Sequence, residues 1–176
     1  MDHVGGLLAD GLRRRLRPDV PIHLAAVEAE FWASPDFSRN TFGGFPDVLR
    51  SAEERFVELY RSQLRPFEKE YELAPGVVVC RTGGHTLGHS VVRLASGGDR
   101  LTFLGDAVFP NHFDRPDWYN AFDHDPEEAV HVRIRLLREL AATREPLAAA
   151  HLSFPSVGLV AVAGDVFRFV PATWEH

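Results

Sequence analysis

Three things are scarce in this sequence: cysteine, long apolar runs and basic charge. Cys80 is the single cysteine among 176 residues, which excludes an internal disulfide and a zinc site built on cysteines. No stretch reaches the ~18 consecutive apolar residues of a membrane span. The net charge of -6 and the pI of about 5.8 provide no basic field to attract phosphates. We therefore expect a small-molecule substrate as the partner, and neither nucleic acid nor membrane.

The remaining composition is that of an ordinary globular domain. Hydrophobic residues make up 45% of the chain and charged residues 25%, which is typical of soluble proteins. A chain of 176 residues can bury a sizeable core within one domain. We expect a single domain over residues 1–176, with the cytoplasm as its default compartment. A signal upstream of Met1 and a homodimer both stay open.

Histidines occupy a glycine-rich stretch near the centre of the sequence, from Thr82 to Ser90. Apolar runs precede and follow it, and short apolar runs bounded by glycine are typical of strands. His85 and His89 are therefore expected on a turn between two strands, where a neutral imidazole can reach a point shared with other ligands. The alternative is a hydrogen-bonded loop histidine, which is the more frequent outcome when such a motif stands alone.

Aspartate and histidine recur at three other predicted element ends. Asp2 and His3 begin the chain, Asp106 ends an apolar run, and His151 ends another. Each has a simpler interpretation, as a helix cap, a turn former or a polar strand end. Together with the central histidines and in this order, they indicate a zinc-type site with oxygen and nitrogen ligands.

These motifs resemble those of the metallo-β-lactamase-fold hydrolases, and most of all the branch of methyl parathion hydrolase and related lactonases. The matching segments are Asp-His-Val-Gly-Gly, Gly-His-Thr-x-Gly-His, Leu-Gly-Asp and Ala-His-x-x-Phe-Pro. Alternation of strands and helices predicts an α/β protein. The resemblance further implies an αβ/βα sandwich that lacks its N-terminal strands, with two sheets packed face to face, helices outside and the metal at one edge.

The chain departs from this family at its first residue. The family signature is His-x-His-x-Asp-His, and Met1 stands at its fourth position. We expect that the reading frame was started at an internal methionine or that the gene is truncated. The alternative function is accordingly a catalytically inactive remnant of the fold with an incomplete metal site. Substitutions at Ser153, Ser156 and Leu159 also depart from the branch, which leaves the substrate open.

The resemblance implies a dinuclear centre, with Zn2+ as the expected metal and Mn2+, Fe2+ or Co2+ as alternatives. Such a centre activates water for attack on esters, lactones or organophosphate triesters. Asp106 would bridge the two metals, and His85 would lie on the side whose other ligands precede Met1. His89 would orient the loop from behind the ligands. Asp2 and Asp106 are the candidate catalytic residues, and the candidate metal ligands are Asp2, His3, His85, Asp106 and His151.

Aromatic residues in irregular segments predict the walls of an apolar substrate pocket. A loop folded back on the core is an equal alternative for residues 34–49. His112 is a candidate substrate contact or proton donor, with a surface-loop histidine as its alternative. Asp123 and His124 are assigned to the entry of a helix rather than to a site. The candidate pocket residues are Trp32, Phe42, Phe45, Phe109, His112, Phe113, Trp118 and Phe154.

Hydrophobic periodicity predicts the remaining elements. Helices are expected at 4–16, 27–32, 51–64 and 125–142. In the last of these, the residues expected to face the core are Ala129, Val130, Ile134, Leu137 and Leu140. Strands are expected at 21–26, 70–73, 77–81, 91–94, 100–104, 147–150, 158–162 and 166–170.

Overall fold

The computed structural model describes residues 5–8, 19–33 and 45–173, and two sheets organise this part of the chain. The helices are α1 (Ala26–Ala33), α2 (Phe45–Tyr60) and α3 (Pro126–Thr143), with 3-10 turns at Gly5–Leu8 and Pro110–His112. The first strands are β1 (Ile22–Ala25), β2 (Leu64–Phe67), β3 (Glu70–Ala74), β4 (Val77–Arg81) and β5 (Ser90–Ser96). The others are β6 (Asp99–Phe103), β7 (Leu147–Ala148), β8 (Val157–Ala163) and β9 (Val166–Pro171).

The larger sheet has seven strands in the order β3-β4-β5-β6-β7-β8-β9. Every neighbouring pair is antiparallel except β6 and β7, which are parallel. Because β4 and β6 both run antiparallel to β5, the strands β4, β6 and β7 point in one direction. Their carboxyl ends therefore lie at the same edge of the sheet, and the segments that follow them can meet there.

The smaller sheet pairs β1 with β2 in parallel. It contacts the larger sheet where the His23 ring stacks on Tyr71, with 4.2 Å between the ring centroids. Strand β2 was not among the predicted strands. Pro66 pairs with Leu24 in this two-stranded sheet, where both strands are edges and a missing backbone donor is tolerated.

Helix α3 packs one face against the larger sheet. Its N-cap is Asp125, whose side chain accepts from the Glu128 amide, and it ends at Arg144 in the left-handed region with φ 55°. The prediction that Val130 and Ile134 face the core is wrong, since both are only partly buried. The buried residues follow an unbroken i, i+3, i+4 stripe that includes a charged residue: Ala129, Val132, Arg133, Leu136, Leu137 and Leu140.

The predicted element boundaries are confirmed for most of the chain. The main error concerns α2, which begins at Phe45, inside a segment expected to be a loop, and ends at Tyr60. Of the helix predicted at 4–16, the structure describes only the 3-10 turn at Gly5–Leu8. Within the described ranges, no helix is both long and apolar enough to cross a membrane.

Candidate metal centre

The loop after β4 carries His85 and is pressed against the start of α3. Gly83 and Gly84 have φ values of 74° and 87°, which other residues rarely adopt. A Cβ atom on Gly84 would lie 2.6 Å from the Cα of Ala129. The carbonyls of Gly84 and His85 accept from the amides of Asp125 and His124 at 3.0 and 2.9 Å. The glycines thus let the loop pass close to the helix and fix the position of His85.

Asp106 and His151 follow the two parallel neighbours β6 and β7. Gly105 has φ 54° and turns the chain directly before Asp106. The Ala150 amide donates to the Gly105 carbonyl at 3.2 Å. The ladder between the two strands thereby continues past their ends, and it places the carboxylate beside the imidazole.

The three segments converge on the Asp106 carboxylate. His85 Nε2 lies 3.4 Å from Asp106 Oδ2, and His151 Nε2 lies 3.3 Å from Asp106 Oδ1. Each oxygen of the carboxylate therefore faces a different imidazole. The structure brings together three of the five predicted ligands, while Asp2 and His3 lie outside the described residues.

A second carboxylate holds the other nitrogen of His85. His85 Nδ1 lies 3.0 Å from Oδ1 of Asp123, whose side chain is fully buried. Burial lowers the pKa of His85, but hydrogen bonds to Asp106 and Asp123 outweigh this effect and raise the pKa to about 9. Because the Asp123 carboxylate accepts from Nδ1, this nitrogen carries a proton. The two carboxylates together favour the positively charged form of the imidazole.

His89 connects the histidine loop with the backbone of Asp106. Its Nε2 accepts from the Asp106 amide at 3.2 Å, and its Nδ1 lies 2.7 Å from the Thr82 hydroxyl. Because Nε2 accepts, Nδ1 carries the proton and donates to Thr82. His89 thus orients the loop through hydrogen bonds.

The chemistry of the donor set fits a borderline cation such as Zn2+. Imidazole nitrogens and carboxylate oxygens are its usual ligands when cysteine is absent. No group of three or more His, Cys, Asp or Glu side chains among the described residues gathers around one point. The geometry is instead one imidazole on each side of a shared carboxylate.

Of the predicted pocket residues, Phe109 contacts this centre directly. Phe109 stacks on His151 with 4.9 Å between centroids and 12° between planes, and it lies 6.2 Å from the His85 ring. Phe154 is 87% exposed and follows His151 by three residues. Trp32 Nε1 donates to Glu28 Oε1 at 2.9 Å, and Glu28 in turn accepts from the Gly88 amide of the histidine loop.

Two other predicted pocket residues, Phe113 and Trp118, have their contacts in other parts of the protein. Phe113 belongs to the hydrophobic core and packs against Phe169. Trp118 is half-exposed beneath the Arg115 guanidinium. Phe42 lies outside the described residues, and Phe45 begins α2.

His112 is fully buried, so the surface-loop interpretation is wrong. Its Nδ1 accepts from the Phe109 amide at 3.1 Å. Burial, followed by the charge of Arg133, lowers the pKa of His112 to about 4. The ring is therefore neutral at pH 7 and supports the backbone of Phe109.

Sequence reasoning missed Asp123 as a member of the site, because it was assigned to the entry of α3. Its Oδ2 accepts from the Asn120 amide and from Arg133 Nη2, at 3.2 and 3.3 Å. The signal that could have found the pair is Arg133 itself, since a charged residue within the apolar stripe of a helix needs a buried partner.

Comparisons with known proteins agree on one family. A family profile described as the metallo-beta-lactamase superfamily matches residues 1–151. The solved structure of AidC, a dizinc quorum-quenching lactonase in complex with a product, has a TM-score of 0.89 at 22% identity and covers 98% of this chain. The hydrolase AbOPH of the beta-lactamase superfamily has a TM-score of 0.77 at 26% identity and covers 90% of this chain. AiiA from B. thuringiensis, with N-decanoyl-L-homoserine bound at the active site, has a TM-score of 0.56 at 20% identity and covers 80%.

This chain spans 61%, 57% and 53% of the lengths of those three proteins. A search of curated proteins gave no match. The structural matches confirm the predicted fold. The profile covers most of the residues, and the chain therefore belongs to the metallo-β-lactamase superfamily.

Proposed function

We propose that this chain carries the centre of a metal-dependent hydrolase of esters, lactones or organophosphate triesters, with two cations, Zn2+ by preference. The observation that carries the proposal is the Asp106 carboxylate, whose two oxygens face the imidazoles of His85 and His151. A carboxylate placed in this way can bridge two metals, each with one histidine. Membership of a superfamily whose solved relatives include a dizinc lactonase supports the same metal and reaction class.

Asp106 and His85 would hold one metal, and Asp106 and His151 the other, together with Asp2 and His3. Bound there, the metals would supply a water activated at neutral pH and positive charge for the developing oxyanion. Asp123 keeps the His85 proton on Nδ1, and His89 holds the backbone of Asp106. These hydrogen bonds fix the donor atoms in place before a ligand arrives.

The surroundings of the centre favour an uncharged substrate. Phe109 forms an apolar wall across His151. Phe154, three residues after His151 in the chain, exposes its ring. A phenylalanine ring excludes water but offers no proton, and His112 behind it is neutral at pH 7. Lactones and aryl esters meet these conditions, and the solved structures of AidC and AiiA contain acyl-homoserine compounds.

The test is hydrolysis by the purified 176-residue chain after loading with Zn2+ or Co2+. An N-acyl homoserine lactone, an aryl ester and a phosphate triester serve as substrates, each with and without chelator. We expect little hydrolysis from this exact chain, but hydrolysis that is chelator-sensitive and that falls by more than ~100-fold in Asp106→Asn, since loss of a ligand exceeds the loss of an outer hydrogen bond. Asp117→Asn is the matched control, because Asp117 is exposed and pairs only with Arg115 among the contacts seen here.

The outcomes separate two functions. Hydrolysis that is insensitive both to chelator and to Asp106→Asn would refute the metal mechanism. A folded chain that neither binds metal nor hydrolyses any of the three substrates would favour the inactive remnant, which uses the fold as a binding module.

A further inference from the structure

Arg133 is a fully buried guanidinium in the middle of α3. It is surrounded by hydrogen-bond acceptors that come from the segments around the candidate metal centre. Nε donates to the Ala107 carbonyl at 3.0 Å, and Nη1 donates to the carbonyls of Pro116 and Trp118 at 3.1 and 2.8 Å. Nη2 donates to Asp123 Oδ2 at 3.3 Å. A buried arginine with four such bonds is a built feature of the fold rather than an incidental charge.

The contacts of Arg133 reach both sides of the centre. Ala107 follows Asp106 directly in the chain, so the bond to its carbonyl anchors the backbone that carries the bridging carboxylate. Asp123 holds His85 through the opposite carboxylate oxygen. One planar guanidinium therefore connects the supports of the two side chains that lie 3.4 Å apart.

The buried carboxylate of Asp123 also requires a buried cation beside it. A buried Asp123 without a cation would be costly, because removal of one partner leaves an uncompensated charge in the interior. Burial lowers the pKa of the Arg133 guanidinium, and Asp123 opposes this effect. With Arg133 in place, both oxygens of Asp123 can accept hydrogen bonds, one from Arg133 and one from His85.

We propose that Arg133 is a positioning residue of the metal centre, which acts through Asp123 on His85 and through Ala107 on Asp106. Its effect on hydrolysis rests on the proposed function, whereas its effect on the His85 ring does not. A purely structural role, as a clamp on the loop at Pro116 and Trp118, makes a different prediction. Such a clamp would contribute to stability and leave the imidazole unaffected.

The decisive experiment is NMR of metal-free protein labelled with 15N in histidine. His85→Gln assigns the ring signal, and wild type should show an imidazole Nδ1–H that exchanges slowly with solvent. In Arg133→Lys, which keeps the charge but loses the fork of donors, we expect this exchange to be at least ~10-fold faster. Arg135→Lys is the matched control, because Arg135 lies two residues away on the exposed face of α3. An unchanged exchange rate in folded Arg133→Lys would overturn the proposal, as would a wild-type ring without a protected proton.

Asp123→Asn provides a second variant that leaves the carbonyl contacts of Arg133 intact. It should weaken the hydrogen bond of the His85 ring as Arg133→Lys does. In the double variant, the ring proton should exchange no faster than in Asp123→Asn alone. If the two substitutions instead multiply their effects on the exchange of this proton, Arg133 does not act on His85 through Asp123, which contradicts the proposal. If Arg133→Lys does not fold, Arg133→Gln, which also loses the fork of donors, takes its place in the same exchange measurement, with the same outcomes for and against the proposal.

Co2+ titration measures the consequence for metal binding. We expect affinity for Co2+ to fall by about 10–100-fold in Arg133→Lys and Asp123→Asn, with a changed visible spectrum. Hydrolysis, if present, should lose kcat with little change in KM. Loss of ring protection without any hydrolysis in wild type would refute the proposed function and leave the positioning role standing.

Discussion

Among the residues that the structure describes, two ion pairs connect α3 to other segments, and they differ in burial far more than in chemistry. Arg133 and Asp123 are both fully buried and lie 3.3 Å apart. Arg93 of β5 and Glu139 lie only 2.7 Å apart, but their side chains are 41% and 39% exposed. The shorter contact is the one that water can replace. Distance alone therefore ranks the two pairs in the wrong order.

The difference lies in what remains when one partner is removed. An exposed glutamate that loses its arginine is solvated at once, so such pairs contribute about 0.2–1 kcal/mol. A buried aspartate that loses its arginine keeps its charge in the interior, which costs about 3–5 kcal/mol. Since Asp123 also holds His85, the cost of this buried pair falls on the same part of the molecule as the candidate metal centre.

The largest expected effect is that of Arg133→Met. It removes the buried cation but preserves most of the side-chain volume. We expect the free energy of unfolding to fall by about 3–5 kcal/mol. Urea denaturation of the metal-free protein at pH 7 measures the change.

Arg135→Met is the control for this experiment, because it removes a charge from the same helix at an exposed position. It should change stability by less than about 0.5 kcal/mol. Equal effects of the two substitutions would mean that burial of the Arg133–Asp123 pair does not increase its contribution to the free energy of unfolding.

Two glycines allow the same contrast between buried and exposed positions to be tested at the backbone. A Cβ atom on Gly84 would meet the backbone of Ala129 at 2.6 Å, next to the buried pair. Gly97, in the β5–β6 hairpin, has a similar left-handed φ, but a Cβ atom there would meet no described atom within 4 Å. Gly84→Ala should therefore be more destabilising than Gly97→Ala by about 1–3 kcal/mol, since both add strain and only the first adds overlap. Thermal unfolding of both variants tests this, and equal losses would show that the loop can move away from α3.

The convergence of the candidate ligands at strand ends could be predicted from the sequence because local signals mark these residues. His85, Asp106 and His151 each end or follow an apolar run, and the topology then brings strand ends of one direction together. The order of the motifs was also enough to identify the family. What these residues share is that the chain immediately before them dictates where they lie.

Asp123 could not be predicted in the same way. Its neighbours in sequence indicate a helix cap, and only the packing of α3 onto the loop places it against His85. Arg133 was not predicted as a buried residue either: it lies in the buried stripe of α3, and only the packing of the fold brings its carbonyl and carboxylate acceptors around it. The position of Phe113 in the core was also beyond local patterns, because aromatic residues serve pockets and cores equally well. Long-range packing decides each of these cases.

The smallest expected effect concerns the exposed pair and pH. The Arg93 hydrogen bond lowers the pKa of Glu139 below its usual value, against a smaller opposing effect of burial. A carboxyl group whose pKa is lower in the folded state contributes stability above the unfolded-state pKa of about 4.3, and this contribution is lost as the pH falls through the folded-state value. Glu139→Gln should therefore cost about 0.2–1 kcal/mol at pH 7 and progressively less below about pH 4. Urea denaturation of both proteins across this range measures the gap. A gap that widens in acid would mean that Glu139 is stabilised as the neutral acid, and that the exposed pair behaves unlike a solvated one.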